Sequence, residues 1–298
     1  MFVSCLIAPF LKYLFDAMVI SGSFIKELVN FKEGSYDFGR VMRRIILAVA
    51  AIGIYIFRKP LRIGSFATVG IKHTSGWWEQ LRMGFYISTG IFILYLVFLW
   101  GIGIKVVDID FRSAGDLFVQ LFKILLIAGI VACIEEVFFR GFIFQSLLAD
   151  MRAVPAICIS SIFYSLLHFF KAKYSVSPGI QPFVGFAVIF YSFENIVVNI
   201  SSILPSVIGL FLVGVVLSYA CLRTKSLYFA IGLHAGWVFL IKANRLFLDH
   251  AGKESGWLYG DSKVVTGILG WILLMVTLIL VRFVTGDVNS GKDTARIG

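Results

Sequence analysis

Apolar residues run along this chain in long blocks, each bounded by a short charged or glycine-rich stretch. A helix that crosses a bilayer needs about 20 consecutive apolar residues. Blocks near that length fall at Val3–Leu28, Val41–Phe57, Leu81–Ile104, Leu117–Phe139, Val154–Phe170, Ile203–Cys221, Ser226–Lys242 and Val265–Val281. The pattern predicts an all-α, polytopic transmembrane bundle of about eight helices. Two stretches fit it poorly. Lys12, Asp16 and Lys26 interrupt the first block, which also reads as an amphipathic helix lying in the interface. Pro182–Ile200 is apolar but carries Glu194, Asn195 and Asn199, and reads as interfacial or re-entrant.

Charge between the blocks orients them. Arg58, Lys59, Arg62, Lys72 and Arg82 follow the second block and place that loop in the cytoplasm. Asp108, Asp110 and Asp116 against Lys105 and Arg112 suit the outside for the next loop. Continued alternation puts Arg152, Arg223 and Lys225 inside, with both termini cytoplasmic, a pattern that suits a bacterial cytoplasmic membrane. Composition agrees: 59% of the 298 residues are hydrophobic and only 15% charged, against about 25% charged in soluble domains. The net charge of +10 therefore reads as basic cytoplasmic loops beside lipid and not as a nucleic-acid surface. The four cysteines, Cys5, Cys133, Cys158 and Cys221, form no CxxC pair and read as small buried hydrophobes. The opening MFVSCLIAPFLKYLFD lacks a basic n-region and a small-residue cleavage site, so it reads as a retained membrane segment.

The informative residues are charges inside apolar helices. IAGIVACIEEVFFRGFIF holds Glu135, Glu136 and Arg140 in one apolar run. An ionised side chain at a helix centre costs about 2.5–3.5 kcal/mol on insertion scales. Three such charges mark a buried functional cluster, the bland alternative being a helix end with Arg140 snorkelling to the headgroups. Glu136 and Arg140 are four residues apart, so they share a helix face and pair in the favourable orientation. Glu135 is rotated by about 100° from Glu136. The expected division is a structural pair, Glu136 with Arg140, and a freer carboxylate, Glu135. A carboxylate in an apolar cavity is suited to taking a proton from water.

Of four histidines, His73 and His250 lie in polar loops and read as surface residues. His168 ends the apolar SSIFYSLLHFF, and His234 sits in AIGLHAGWVFL. A lone histidine on an apolar helix is usually a satisfied core residue. Two, on helices separate from the one bearing Glu135, are expected to converge with it on a shared water, or on a divalent metal such as zinc as a His₂Glu set. Nothing has the HExxH spacing that would mark zinc, so no tightly bound metal or cofactor is expected.

Glu135-Glu136-Val-Phe-Phe-Arg140 has the form EExxxR, Tyr164-Ser-Leu-Leu-His168 is close to FxxxH, and His234-Ala-Gly-Trp-Val238 is close to HxxxN. In order and spacing this trio resembles the CAAX-processing and bacteriocin-processing (CPBP, or Abi) intramembrane endopeptidases, which include the type II CAAX prenyl proteases. The resemblance covers roughly Leu117–Lys242. It implies an endopeptidase in which Glu135 activates a water, His168 and His234 orient it and stabilise the oxyanion, and Glu136 and Arg140 hold the first Glu in place. It implies a peptide or protein substrate, prenylated or membrane-inserted, met within the bilayer. It also divides the chain into N-terminal helices with a basic loop (1–116), a catalytic core (117–242), and a C-terminal loop, last helix and tail (243–298), all one integrated membrane domain.

Two positions depart from the family pattern. Tyr164 stands where the family has Phe, a mild aromatic swap. Val238 stands where the family has Asn or Asp, a residue thought to help hold the oxyanion, and valine has no donor. Asn195 and Asn199 are the candidate replacements if Pro182–Ile200 folds back onto the site. Val238 keeps open a non-catalytic membrane scaffold or immunity protein of the same fold. A proton-coupled transporter built on the same charges is a further alternative, although no pair of interrupted helices in matching halves supports it.

Overall fold

The computed structural model describes residues 2–21, 36–39, 42, 46, 49, 53, 76–111, 113–169, 174–177, 179–250, 256–260 and 266–293. Except for Met42, Ile46, Val49 and Gly53, the expected span Val41–Phe57 lies outside the described residues, as do Arg58, Lys59, Arg62, Lys72 and His73. The architecture is an all-α membrane bundle, with strands confined to two short antiparallel pairs among the described residues. The chain forms two compact units, each drawing on two separate stretches of sequence: Met1–Leu61 with Leu166–Leu204, and Arg62–Ser165 with Pro205–Gly298.

In the first unit, α1 (Phe2–Ser21) packs against α6 (Val184–Val198), and β1 (Tyr36–Asp37) pairs with β3 (Ser175–Val176). Cys5, Ala8, Phe38, Met42, Val176, Val184 and Val188 form its core. Gly185 permits the helix crossing, because a Cβ there would stand 2.7 Å from the Cys5 backbone. Two of the three charges that interrupt the first apolar block, Lys12 and Asp16, are buried as a pair, and the third, Lys26, lies outside the described residues. Lys12 Nζ donates to Asp16 Oδ2 at 2.8 Å and to the carbonyls of Ser177 and Gly179 at 3.1 and 2.9 Å. Gly179 N donates to Asp16 Oδ2 at 3.1 Å. All three ammonium protons are thus used, which is how an apolar helix tolerates both charges.

In the second unit, α2 (Trp77–Gly101) and α8 (Tyr228–Ala243) make the most extensive helix contact. The contact is close because three glycines line it. A Cβ on Gly84 would fall on the Phe229 carbonyl, one on Gly232 on the Leu81 carbonyl, and one on Gly236 on Ser88 Oγ. Lipid supplies no hydrophobic drive between helices, so close backbone approach through small residues does the joining. α3 (Ala114–Glu136) starts on Ser113, whose Oγ accepts from Asp116 N at 3.2 Å. It runs without a break through a π-helical segment (Val137–Phe144) into α4 (Gln145–Asp150). α5 (Ala153–Leu167) meets α7 (Ile200–Thr224) through small residues: Ser160 Oγ lies 3.2 Å from Ser218 Oγ, Ser165 Oγ donates to Val207 O at 2.7 Å, and Gly214 abuts Ser161. α9 (Gly256–Tyr259) and α10 (Ile268–Asp293) complete the unit, with β2 (Lys105–Val107) paired to β4 (Leu248–His250).

Among the described residues, four helices are long and apolar enough to cross a membrane: Trp77–Gly101, Ala114–Asp150, Ile200–Thr224 and Ile268–Gly286. The second exposes Phe118, Phe122, Ile130 and Ile134, as a lipid-facing helix does. α5, α6 and α8 are shorter, at 15, 15 and 16 residues. At about 1.5 Å per residue they extend only about 22–24 Å, less than the hydrocarbon core of about 30 Å. Two of the apolar blocks, Val154–Phe170 and Ser226–Lys242, thus fold as helices shorter than a full span.

Breaking the buried pair of the first unit is expected to be costly. Asp16→Leu leaves Lys12 uncompensated, at about 3–5 kcal/mol, and should sharply shorten the half-life of the purified protein in detergent. Lys12→Met/Asp16→Leu should recover most of it. Equal half-lives for all three proteins would contradict this account of the pair.

Candidate active site

Glu136, Arg140 and Phe144 are buried on the same helical rod as Ala128 and Ala132, every fourth residue. Four residues overshoot a 3.6-residue turn by about 40°, so this spacing would drift around a regular α-helix. The wider i→i+5 winding of the π-segment turns the drift back and keeps Arg140 and Phe144 inward, beneath Glu136. Such segments are rare and occur often at functional sites.

The expected Glu136–Arg140 pair is present. Arg140 Nη1 donates to Glu136 Oε1 at 3.0 Å, and both side chains are shut from solvent. Arg140 Nη2 donates to the Gly214 carbonyl at 3.3 Å, and the guanidinium carbon lies 4.5 Å from the centre of the Tyr164 ring. Gly214 permits this approach, since a Cβ there would stand 2.8 Å from the Ser161 side chain. Arg140 thereby ties the rod to α7 and α5.

His234 adds a contact that spacing alone does not reveal. Its Nδ1 lies 2.7 Å from Glu136 Oε1, the same oxygen that holds Arg140. An ionised carboxylate only accepts, so against it Nδ1 is the donor, and Nε2 is the ring nitrogen turned toward Glu135. Nε2 lies 3.9 Å from Glu135 Oε2. Glu135 is partly exposed, with 21% of its side chain accessible, whereas Glu136 is fully buried. The two adjacent carboxylates thus differ in exposure, Glu136 closed to solvent and Glu135 partly accessible. Gly232 and Gly236 hold α8 on α2, and His234 between them faces the carboxylates. A GxxxG pair around a histidine in an apolar run is the sequence signal for this arrangement.

Tyr164 is more than an aromatic filler. Its ring meets Phe139 edge-on at 4.9 Å and His234 edge-on at 6.4 Å, and its hydroxyl makes a side-chain hydrogen bond with Glu135. The structure therefore brings together Glu135, Glu136, Arg140, Tyr164 and His234, all within the second unit. His168 lies in the turn that closes α5, half-buried, and belongs to the first unit. Asn195 and Asn199 also belong to the first unit, exposed at the end of α6, where Asn199 Nδ2 donates to Asn195 Oδ1 at 2.8 Å and to its carbonyl at 3.0 Å. Val238 sits half-buried one turn beyond His234. Among the described residues no three His, Cys, Asp or Glu side chains are gathered to hold a metal ion. Glu135 and His234 supply two donors, one short of the three protein ligands that a catalytic zinc takes.

Residues 117–240 match the family model described as type II CAAX prenyl endopeptidase, Rce1-like. This is the segment that carries the EExxxR, FxxxH-like and HxxxN-like motifs, and the match bears out the resemblance read from them. No curated protein and no solved structure matches the chain.

Removing the carboxylate that serves two partners should be felt first in stability. Glu136→Ala leaves Arg140 buried and uncompensated, at about 3–5 kcal/mol, and Glu136→Leu/Arg140→Leu should recover part of the loss in detergent half-life. A Glu136→Ala protein that accumulates normally yet is catalytically dead would reverse the roles and make Glu136 the base.

Proposed function

We propose that this protein is an intramembrane endopeptidase that hydrolyses a peptide bond with a water activated by Glu135. The observation that carries the reading is the pairing of an open carboxylate with an imidazole whose orientation is already fixed. A water within about 3 Å of Glu135 Oε2 and His234 Nε2 would be held by both. Glu135 takes a proton from this water as its oxygen bonds to the carbonyl carbon, and the carbonyl electrons move to its oxygen. Collapse of the tetrahedral intermediate breaks the C–N bond, and the proton held by Glu135 passes to the leaving amine. His168 is proposed to share the orientation of the water with His234, and Asn195 or Asn199 to be available as oxyanion donors. Glu136 and Arg140 act on the reaction through His234 and touch none of the reacting atoms. Burial strengthens each of these electrostatic contacts.

The family match supports a membrane-associated protein substrate, and we infer a prenylated C-terminal peptide as the first to test. Every step is assigned here to side chains. Basic loops support a cytoplasmic membrane of a bacterium with both termini inside, which terminal reporter fusions would test. Val238 favours one other reading, a non-catalytic scaffold or immunity protein.

A quenched fluorescent peptide ending in a prenylated CAAX sequence separates the two. Wild-type protein in vesicles is expected to cleave it, and Glu135→Ala to lower the rate by about 10²–10⁴-fold, the usual contribution of a general base. Chelator treatment should leave cleavage intact, and Val238→Asn should raise it little. Identical traces for wild type and Glu135→Ala, on this peptide and on membrane peptides compared by mass spectrometry, would favour the scaffold.

A further inference from the structure

Tyr164 is the one member of the assembled site to which the scheme above gives no task. It is 2% exposed, and its ring is fixed on three sides by Arg140, Phe139 and His234. A phenylalanine would fill the same space, pack equally against the guanidinium and leave no polar atom to desolvate. A buried phenol needs a partner for its hydroxyl, and here that partner is Glu135. With the ring held, the freedom left to the group is rotation of the O–H about its C–O bond. The hydroxyl thus stands among the reacting oxygens, while the side chain one turn beyond His234, Val238, can donate nothing.

We propose that Tyr164 is a catalytic donor: its hydroxyl holds the Glu135 carboxylate in the resting site and turns to the oxyanion once Glu135 has taken the proton of the attacking water. The proposal rests on the hydrolytic reading above. Its driving force is the movement of charge. Before attack the negative charge is on Glu135, and a phenol donates most strongly to an ionised acceptor. After attack Glu135 is neutral and the charge is on the former carbonyl oxygen, so the O–H follows it. Tyr164 keeps its own proton throughout. The water–carbon bond forms, the C–N bond breaks, and the single transferred proton travels from water through Glu135 to the amine.

The test uses the full-length protein in vesicles and the quenched prenylated peptide. Tyr164→Phe is expected to lower kcat by about 10²-fold or more, the loss typical of one missing oxyanion donor, with KM unchanged. Placing a donor one turn beyond His234 should replace it, so Tyr164→Phe/Val238→Asn should regain at least a tenth of the wild-type rate. A purely structural role would not be rescued by that second change. If Tyr164→Phe does not accumulate, 4-aminophenylalanine and 4-methylphenylalanine at position 164 fill the same space with and without a donor, and activity must follow the donor.

Retention of kcat within about threefold in Tyr164→Phe, with wild type active and Glu135→Ala dead, would overturn the proposal and leave the hydrolytic reading standing. So would a loss confined to Asn195→Ala, to Asn199→Ala or to Trp237→Phe, which would move the donor elsewhere. Trp237 is the apt control, because its buried indole Nε1 has no hydrogen-bond partner among the described residues. Wild type indistinguishable from Glu135→Ala would remove the hydrolytic reading and this proposal with it.

Discussion

One buried oxygen organises the second unit. Glu136 Oε1 accepts from Arg140 at 3.0 Å and contacts His234 Nδ1 at 2.7 Å, in a place closed to solvent. A lone carboxylate there would be costly to bury, and so would a lone guanidinium. Together they compensate one another's charge, although Glu136 Oε2 and Arg140 Nε have no hydrogen-bond partner among the described residues, and they fasten three helices to the rod: Arg140 reaches the Gly214 carbonyl of α7 and lies over Tyr164 of α5, while His234 comes from α8. The same oxygen sets the proton on Nδ1 and so leaves Nε2 directed at Glu135.

Small residues make those contacts reachable. Gly84, Gly232 and Gly236 let α2 and α8 touch backbone to backbone, and Gly214 lets α7 approach α5. A side chain at any of these positions would force the helices apart and carry His234 or the Gly214 carbonyl out of hydrogen-bond range. The π-segment makes an equivalent adjustment along the rod, keeping residues spaced by four on one face where an α-helix would rotate them away. The geometry of the site is therefore set by packing, and the charges are placed where that packing leaves room for them.

Much of this was legible beforehand, in unequal measure. Hydropathy marked the helices, because lipid and a protein interior select the same residues. It did not distinguish the two environments: α8 is largely buried, whereas α3 turns Phe118, Phe122, Ile130 and Ile134 outward. The four-residue step from Glu136 to Arg140 announced their pairing, since that contact is local. The bond from His234 to Glu136 was not legible, because the choice between adjacent carboxylates depends on the tilt of another helix. Tyr164 looked like a mild replacement, yet its hydroxyl reaches Glu135, a contact between helices that no spacing within one helix encodes. Lys12 and Asp16 looked like interruptions of an apolar helix, and their partners at Ser177 and Gly179 lie far along the chain. The two units are likewise assembled from separated stretches, with no change of composition at their edges.

At the centre of this account Glu135 acts as a base on water and not as a nucleophile. The two routes leave oxygen in different places. In a single turnover in ¹⁸O-water with enzyme in excess over prenylated peptide, direct attack puts the label in the new carboxylate of the product and none in the protein. That is the result predicted here. Label in the Glu135 side chain with an unlabelled product, read by mass spectrometry of the digested enzyme, would mean a covalent intermediate and would contradict it.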